Sequence, residues 1–279
     1  MGAGPMGVDF LGLDPALILA LLLMGCFGGF AAGLLGIGGG MVLVPFITMI
    51  FTAREFAPHL VVHMAIATSL ATILFTSISS MRAHHRHGAV LWRVARLLAP
   101  GIVIGSWIGP WIGKQMNTAM LALFFGLFVA FSATQMLLNK RPEGTRELPG
   151  QAGMLAAGGV IGILSGLVGA GGGFVSIPFM TWRGIRIHNA VATSAALGFP
   201  IALAGTVANI VYGWGEPGLP PGSLGFIWLP ALGLIVLASV TLAPLGARMA
   251  HRLPVARLKR IFAVILYALA AYMLWKAAQ

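Results

Sequence analysis

The sequence predicts an all-α polytopic membrane protein made of two inverted repeats of about five membrane elements each, with 8 long helices and 2 short glycine-interrupted ones. The chain of 279 residues is 58% hydrophobic and 8% charged, whereas a soluble globular protein is about 25% charged. Apolar runs of spanning length recur along the chain, and both halves carry the same glycine-rich motif. This composition excludes a disordered chain, a disulfide scaffold and almost any soluble enzyme.

Long apolar runs indicate where the chain crosses the membrane, since a spanning helix needs about 20 apolar residues. Eight runs qualify, at about residues 15–35, 60–81, 95–113, 117–138, 152–168, 187–212, 224–247 and 257–277. Two shorter runs, 39–52 and 172–182, each follow a glycine cluster. The polar stretch NKRPEGTRELPGQ cannot stay in lipid and reads as a linker. The predicted divisions are an N-terminal tail 1–14, a first membrane repeat 15–138, the linker 139–151 and a second membrane repeat 152–279.

The two halves resemble each other in two motifs. Residues 33–46 read GLLGIGGGMVLVPF and residues 166–179 read GLVGAGGGFVSIPF, which are identical at nine of fourteen positions. The segments 63–69 (HMAIATS) and 188–194 (HNAVATS) share the pattern H-x-A-x-A-T-S. Such self-similarity indicates an internal duplication.

The distribution of Lys and Arg predicts the orientation. If the two short runs also cross the membrane, ten crossings place 14 basic residues on one face and 3 on the other. Because basic residues mark the cytoplasmic side, both termini are then expected outside the cytoplasm. Five crossings per half invert the second half relative to the first. Inverted repeats with short glycine-interrupted segments are typical of secondary transporters.

The paired glycine clusters predict an anion site. Glycine lets the backbone approach a ligand closely, and a helix that starts after each cluster would direct free N–H groups at an anion. The alternative for each glycine is close packing of membrane helices. Pro45 and Pro178 follow the clusters and are expected to break the helices. The expected binding glycines are Gly36, Gly38, Gly39, Gly40, Gly169, Gly171, Gly172 and Gly173.

The A-T-S segments supply hydroxyl groups that could donate to the oxygens of an anion. These are Thr68, Ser69, Thr193 and Ser194. The alternative is that they bond carbonyls of their own helices. His63 and His188 lie where these runs begin, either as interfacial residues or as gates or proton carriers.

Several kinds of site are not expected. All six acidic residues lie outside the predicted spans, which argues against a carboxylate proton relay and against a cationic substrate. The run RAHHRHG (82–88) has no strong metal-ligand spacing and is interpreted as a basic loop that faces anionic lipid. We expect no metal, no cofactor and no nucleic acid. The expected partners are a small anion and membrane lipid. The sequence does not decide whether the chain forms a homo-oligomer.

Over residues 15–277 the paired G-x-G-G-G…P-F motifs, the A-T-S segments, the size and the central linker resemble the sulfite exporter TauE/SafE family of membrane permeases. The resemblance implies transport of a sulfur-containing oxyanion or organosulfonate, typically in a bacterial inner membrane. It carries over to the eight glycines above, to Pro45 and Pro178, and to the A-T-S positions. A passive anion channel of the same fold is the alternative. An enzyme is not expected, because no cluster of acids, histidines or cysteines lies inside the predicted spans.

Overall fold

The computed structural model describes residues 13–36, 38–138, 147–250 and 255–279. In chain order the helices within these residues are α1 Pro15–Leu35, α2 Gly40–Ala53, α3 Val61–Arg86, α4 Trp92–Gln115, α5 Thr118–Leu138, α6 Gln151–Val168, α7 Gly173–Trp182, α8 Ile187–Tyr212, α9 Leu229–Ala250 and α10 Val255–Ala277. Two short strands, β1 Ser223–Leu224 and β2 Ile227–Trp228, pair antiparallel just before α9.

The predicted class of an all-α polytopic membrane protein is confirmed. Eight helices are long and apolar enough to cross a membrane, whereas α2 and α7 have only 14 and 10 residues. The prediction that residues 82–88 form a loop is wrong, because α3 continues to Arg86 and buries His84. Hydropathy marks where a helix leaves hydrocarbon, and a helix can continue beyond that point into the polar interface.

Helices α3 and α8 form the centre of the molecule. Their most apolar windows are 78% and 72% buried, against 33–56% for the other spanning helices. Large apolar side chains on the peripheral helices are exposed instead, as expected of surfaces that face lipid: Leu19, Leu23, Ile104, Leu127, Phe131, Leu237, Ile261 and Val264. Any site between the halves of the chain is therefore built around α3 and α8.

Each half packs one long helix closely against the other half. α1 lies parallel to α9, where Gly25 meets Ile235 and Gly33 meets Ala243. α4 lies parallel to α6 through similar glycine contacts, such as Gly105 against Gly159. Small residues at these crossings let the backbones approach closely. If the first five helices are exchanged in order with the last five, the α1–α9 contact becomes the α6–α4 contact.

Equivalent helices of the two halves run antiparallel. Gly205 of α8 contacts Leu70 of α3, while Gly198 contacts Ser77, so the two helices run in opposite directions. α5 and α10 are also antiparallel, because Gly126 meets Leu274 while Thr134 hydrogen-bonds Tyr267. An inverted duplication requires this arrangement, and the inverted repeat stays our interpretation of it.

The first two helices of each half form a hairpin, and a polar contact joins the two ends of the hairpin that lie away from its turn. The guanidinium of Arg54, after α2, pairs with Asp14, which caps α1. In the second half the guanidinium of Arg183, after α7, donates to the Glu147 carbonyl at 3.0 Å, shortly before α6. In both hairpins the short helix therefore returns to the level at which the long one begins.

Candidate anion-binding site

The two glycine clusters form short non-helical segments inside the protein. Gly36 ends α1 and Gly169 ends α6, both in the left-handed region with φ of 65° and 68°. Gly39 and Gly172 then precede α2 and α7 with φ of 76° and 78°. An L side chain rarely adopts this conformation, so the sequence needs glycine at these four positions. We call residues 36 and 38–39, together with residues 169–172, the glycine segments; α2 and α7 begin directly after them, at Gly40 and Gly173.

The glycine segments touch each other as they pass in opposite directions. A Cβ on Gly38 would lie 2.7 Å from the Cα of Gly171. A Cβ on Gly40 would collide with the carbonyl oxygen of Gly169. Gly173 opens α7 as Gly40 opens α2. The structure therefore brings the two predicted glycine clusters together in the interior.

One serine hydrogen-bonds each glycine segment to the central helix of the other half. The Ser69 hydroxyl of α3 donates to the Gly169 carbonyl at 2.9 Å, and the Ser194 hydroxyl of α8 donates to the Gly36 carbonyl at 2.9 Å. Ser176 in turn donates to the Ser194 Oγ. Both serines are fully buried. In this conformation their protons are therefore used by the protein itself.

The two threonines of the A-T-S segments hold the starts of other helices. The Leu91 N–H, just before α4, donates to Thr193 Oγ1 at 2.9 Å. The Trp228 N–H, just before α9, donates to Thr68 Oγ1 at 3.2 Å. The two bonds satisfy buried backbone donors. Of the four A-T-S hydroxyl residues, Ser194 is the one that lines the cavity between the glycine segments.

That cavity lies where the glycine segments meet α3 and α8. Its polar lining comes from the backbones of Gly38 and Gly171 and the hydroxyl groups of Thr76, Ser77, Ser80 and Ser194, and small residues complete it. No lining residue carries a charge. The cavity has room for about one water molecule. A four-atom oxyanion such as sulfite does not fit in this conformation.

The sequence analysis missed the three cavity residues of α3. A signal was present, because the run TSISS (76–80) places three hydroxyl groups and a further serine inside an apolar span. Thr76 and Ser80 are one helical turn apart and face the same way. This run has no counterpart in the second half, which carries Ile201, Ala202 and Gly205 at the positions equivalent to Thr76, Ser77 and Ser80.

Neither histidine of the H-x-A-x-A-T-S pattern lies at the cavity. The His63 Nε2 is 3.1 Å from the Gly113 and Met116 carbonyls, and it must donate because carbonyl oxygens only accept. His63 also borders a second small cavity with Lys114 and Asn209, near the end of α4. His188 is exposed at the start of α8. The gating and proton-carrier roles stay predictions.

The prediction that Pro45 and Pro178 break their helices is wrong. α2 continues past Pro45 to Ala53, and α7 continues past Pro178 to Trp182. A proline removes one intrahelical hydrogen bond, and membrane helices accept this loss where neighbouring groups compensate. The breaks lie instead at the glycine segments, before each short helix begins.

The histidines of the run RAHHRHG have protein partners. The Nε2 of His84 lies 3.0 Å from the Gly33 carbonyl, and His85 Nδ1 accepts from the Trp92 indole at 3.2 Å. Across the part of the chain that the structure describes, no group of three His, Cys, Asp or Glu side chains could hold a metal ion.

Comparison with known proteins gives a consistent result. A family model described as sulfite exporter TauE/SafE matches residues 21–273. A probable membrane transporter protein of Haemophilus influenzae is 38% identical, covering 93% of this chain and 98% of that protein. The probable membrane transporter protein YunE of Bacillus subtilis is 28% identical over 69% of this chain and 78% of its own length. A probable membrane transporter protein of Methanocaldococcus jannaschii is 26% identical, with 95% and 97% covered. No solved structure shows significant similarity.

The chain is a multi-pass membrane protein that belongs to the sulfite exporter TauE/SafE family of transporters.

Proposed function

We propose that this protein is a secondary transporter that moves a small sulfur-containing anion, such as sulfite or a short sulfonate, across the bacterial inner membrane by alternating access. The observation that carries the proposal is the contact of the two glycine segments beside a hydroxyl-lined cavity. Each segment interrupts a hairpin of one half, and the contact joins the halves. The family description and the names of the relatives support transport as the activity.

The site binds an anion without a basic side chain. α2 and α7 begin directly after the glycine segments, and the first N–H groups of a helix have no intrahelical acceptor. Two helix N-termini supply partial positive charge to the same region. Such N-termini with glycine-rich backbone bind anions in many proteins. A fixed cation is absent from the cavity lining, which keeps anion binding weak enough for release.

Transport requires the glycine segments to separate. In the closed conformation the cavity is too small for the anion, and the Ser69 and Ser194 bonds tie each segment to the other half. Rocking of one half against the other would break one tie at a time and open the cavity to one side. This motion is alternating access around a fixed site at the interface of two repeats.

The orientation follows from the positive charges. The connections α3–α4, α5–α6, α7–α8 and α9–α10 lie on one face if both hairpins return to their starting side. With the basic residues at the adjoining helix ends, they carry 14 of the 17 Lys and Arg residues. We place this face in the cytoplasm and both termini in the periplasm.

Leucine substitutions in the glycine segments test the site. Gly39→Leu and Gly172→Leu introduce side chains at positions with positive φ and into close contacts with Gly28 and Ile201. We expect both variants to lose most uptake of labelled sulfite into proteoliposomes. Gly233→Leu on the exposed face of α9 is the control, since nothing lies within 4 Å of its Cβ. Full-rate uptake by well-inserted Gly39→Leu and Gly172→Leu would exclude the assigned site.

A further inference from the structure

We propose that the hydroxyl groups of Thr76, Ser77 and Ser80 on α3 are the side-chain donors of the anion site, and that they select a singly charged oxyanion over a dianion. This inference rests on the proposed function. It names the substrate class of that site and a binding element that belongs to one half alone.

Ser80 has a buried hydroxyl group that nothing in the closed protein uses. Its side chain is 2% exposed, it lines the cavity, and its Oγ has no hydrogen-bond partner. Buried hydroxyl groups are nearly always hydrogen-bonded, because leaving one unpaired costs free energy. A polar ligand that enters the cavity would remove that cost. Ser80 is therefore the group that gains most from an anion.

The two neighbouring hydroxyl groups can join Ser80 when an anion is present. Ser77 donates to the Leu74 carbonyl at 3.1 Å, and Thr76 donates to the Thr72 carbonyl at 3.0 Å while its Oγ1 also lies 2.9 Å from the Ser239 Oγ of α9. Such hydrogen bonds to the preceding helical turn are weak, and rotation of the hydroxyl group frees its proton for an anion. Residues at positions 76, 77 and 80 lie on one side of a helix, within one turn. Together they present three donors to the cavity.

These donors make the site asymmetric within a fold of two similar halves. The equivalent positions of α8 hold Ile201, Ala202 and Gly205, which have no side-chain donors. Conversely, the cavity residues Ala195 and Gly198 of α8 correspond to the bulky residues Leu70 and Ile73 of α3. The anion therefore lies towards the end of α3 that carries Arg86, which we place in the cytoplasm.

The chemistry of the lining selects by charge. Hydroxyl groups and helix N-termini supply partial positive charges, and the cavity lining contains no Lys, Arg or His. A second negative charge buried there would lack a partner and would pay a large desolvation cost. Hydroxyl oxygens can also accept a hydrogen bond from the O–H of a protonated oxyanion. Hydrogensulfite and methanesulfonate fit this description, whereas the sulfate dianion does not.

The test compares anions and serine variants in proteoliposomes containing the full chain. For the wild type, we expect saturable uptake of sulfite at pH values where hydrogensulfite dominates. Methanesulfonate should inhibit this uptake, and sulfate should inhibit it at least about tenfold more weakly, as expected when a second charge lacks a buried partner. Equal inhibition by sulfate would overturn the charge selectivity.

Ser80→Ala has a closely matched control in Ser165→Ala. Ser165 is also buried without a hydrogen-bond partner, at 3% exposure, but it does not line the cavity. We expect Ser80→Ala to raise the KM for sulfite about tenfold or more, the loss of one hydrogen bond to a charged group. Ser165→Ala should leave the KM unchanged, and both variants should melt at or above the wild-type temperature, because each removes an unpaired buried hydroxyl. Ser80→Cys keeps a weak donor of similar size and should give an intermediate KM.

The outcomes separate this inference from the proposed function. An unchanged KM in Ser80→Ala, with normal wild-type uptake, overturns the α3 donor set and leaves the transporter proposal standing. Equal rises of KM in Ser80→Ala and Ser165→Ala also overturn it, because the effect would then be structural. A wild type that shows no saturable uptake of any tested anion overturns both proposals.

Discussion

The hydroxyl groups of Ser69 and Ser194 have partners that are far away in sequence, 100 and 158 residues along the chain. From the sequence, these hydroxyl groups were expected either to contact an anion or to bond carbonyls of their own helices, because the sequence shows the donor without its acceptor. The acceptors are backbone carbonyls of the glycine segments, which carry no side-chain signature. The glycine positions themselves were predictable, since five of the eight have positive φ: Gly36, Gly38, Gly39, Gly169 and Gly172. The same five-residue pattern G-x-G-G-G in each half indicated this requirement.

Removal of either serine hydroxyl should destabilise the protein. Ser69→Ala removes the hydrogen bond to the Gly169 carbonyl, and Ser194→Ala removes the hydrogen bond to the Gly36 carbonyl. A buried carbonyl left without its hydrogen bond costs about 1–3 kcal/mol. Ser132→Ala is the control, since its hydroxyl bonds only the Phe128 carbonyl of its own helix. Thermal unfolding in detergent should show a clearly lower Tm for the two tie variants. A Tm equal to that of Ser132→Ala would mean that the ties do not stabilise the closed conformation.

Alanine should be rejected at one glycine and accepted at another. A Cβ on Gly40 collides with the Gly169 carbonyl, whereas a Cβ on Gly233 meets nothing within 4 Å. Gly40→Ala should therefore lower both Tm and transport. Gly233→Ala should be neutral or stabilising by up to about 1 kcal/mol, because alanine favours a helix. Equal melting temperatures for the two variants would contradict the close approach of the glycine segments.

At the scale of elements, hydropathy predicted every helix and most boundaries within a few residues. It could not predict how α2 and α7 return, because their length alone, 14 and 10 residues, is too short for a crossing. The closing contacts of Arg54 with Asp14 and Arg183 with Glu147 also lay outside the prediction, since single charges between spans have no defined partner in a sequence.

The α1–α2 hairpin should weaken in acid. The Leu17 N–H that Asp14 caps and the Arg54 guanidinium lower the pKa of the Asp14 carboxyl. A group with a depressed folded-state pKa stabilises the fold above its unfolded pKa and loses this contribution as the pH falls through the folded value. Asp14→Ala should therefore lower Tm at neutral pH, and this difference from the wild type should shrink as the pH falls through the lowered pKa of Asp14.

A second substitution separates the two interactions of Asp14. Asp14→Asn retains a side-chain oxygen that can cap α1 and removes only the charge. It should lie between the wild type and Asp14→Ala in Tm at neutral pH. The same Tm difference for Asp14→Ala at neutral and acidic pH would show that the charge contributes nothing.

At the scale of the whole molecule, the duplication is visible in the sequence, but its consequence is not. Two matching halves could pack in many ways, and only the structure shows α3 antiparallel to α8 with the glycine segments in contact between the halves. The cavity is asymmetric because the donors of α3 have no counterparts in α8. Repetition in the sequence therefore predicted that the glycine segments matter, but it did not predict the polar lining of the cavity between them.

Cysteine labelling tests the predicted orientation. Cys26 is the only cysteine, so Cys26→Ala gives a background without thiols. In that background Ala278→Cys should react with a membrane-impermeant maleimide in intact spheroplasts, because the C-terminus is expected outside. Gly150→Cys, in the central linker, should react only after lysis. The reverse labelling pattern would invert the orientation.

Counterflow of sulfite measures alternating access most directly. Proteoliposomes that are loaded with unlabelled sulfite and diluted into labelled sulfite should accumulate label transiently above its outside concentration, because the site returns inward only when occupied. A passive channel lets the label equilibrate and produces no overshoot. An overshoot that Gly39→Leu abolishes is the result that the account predicts, and sulfite flux without an overshoot would contradict it.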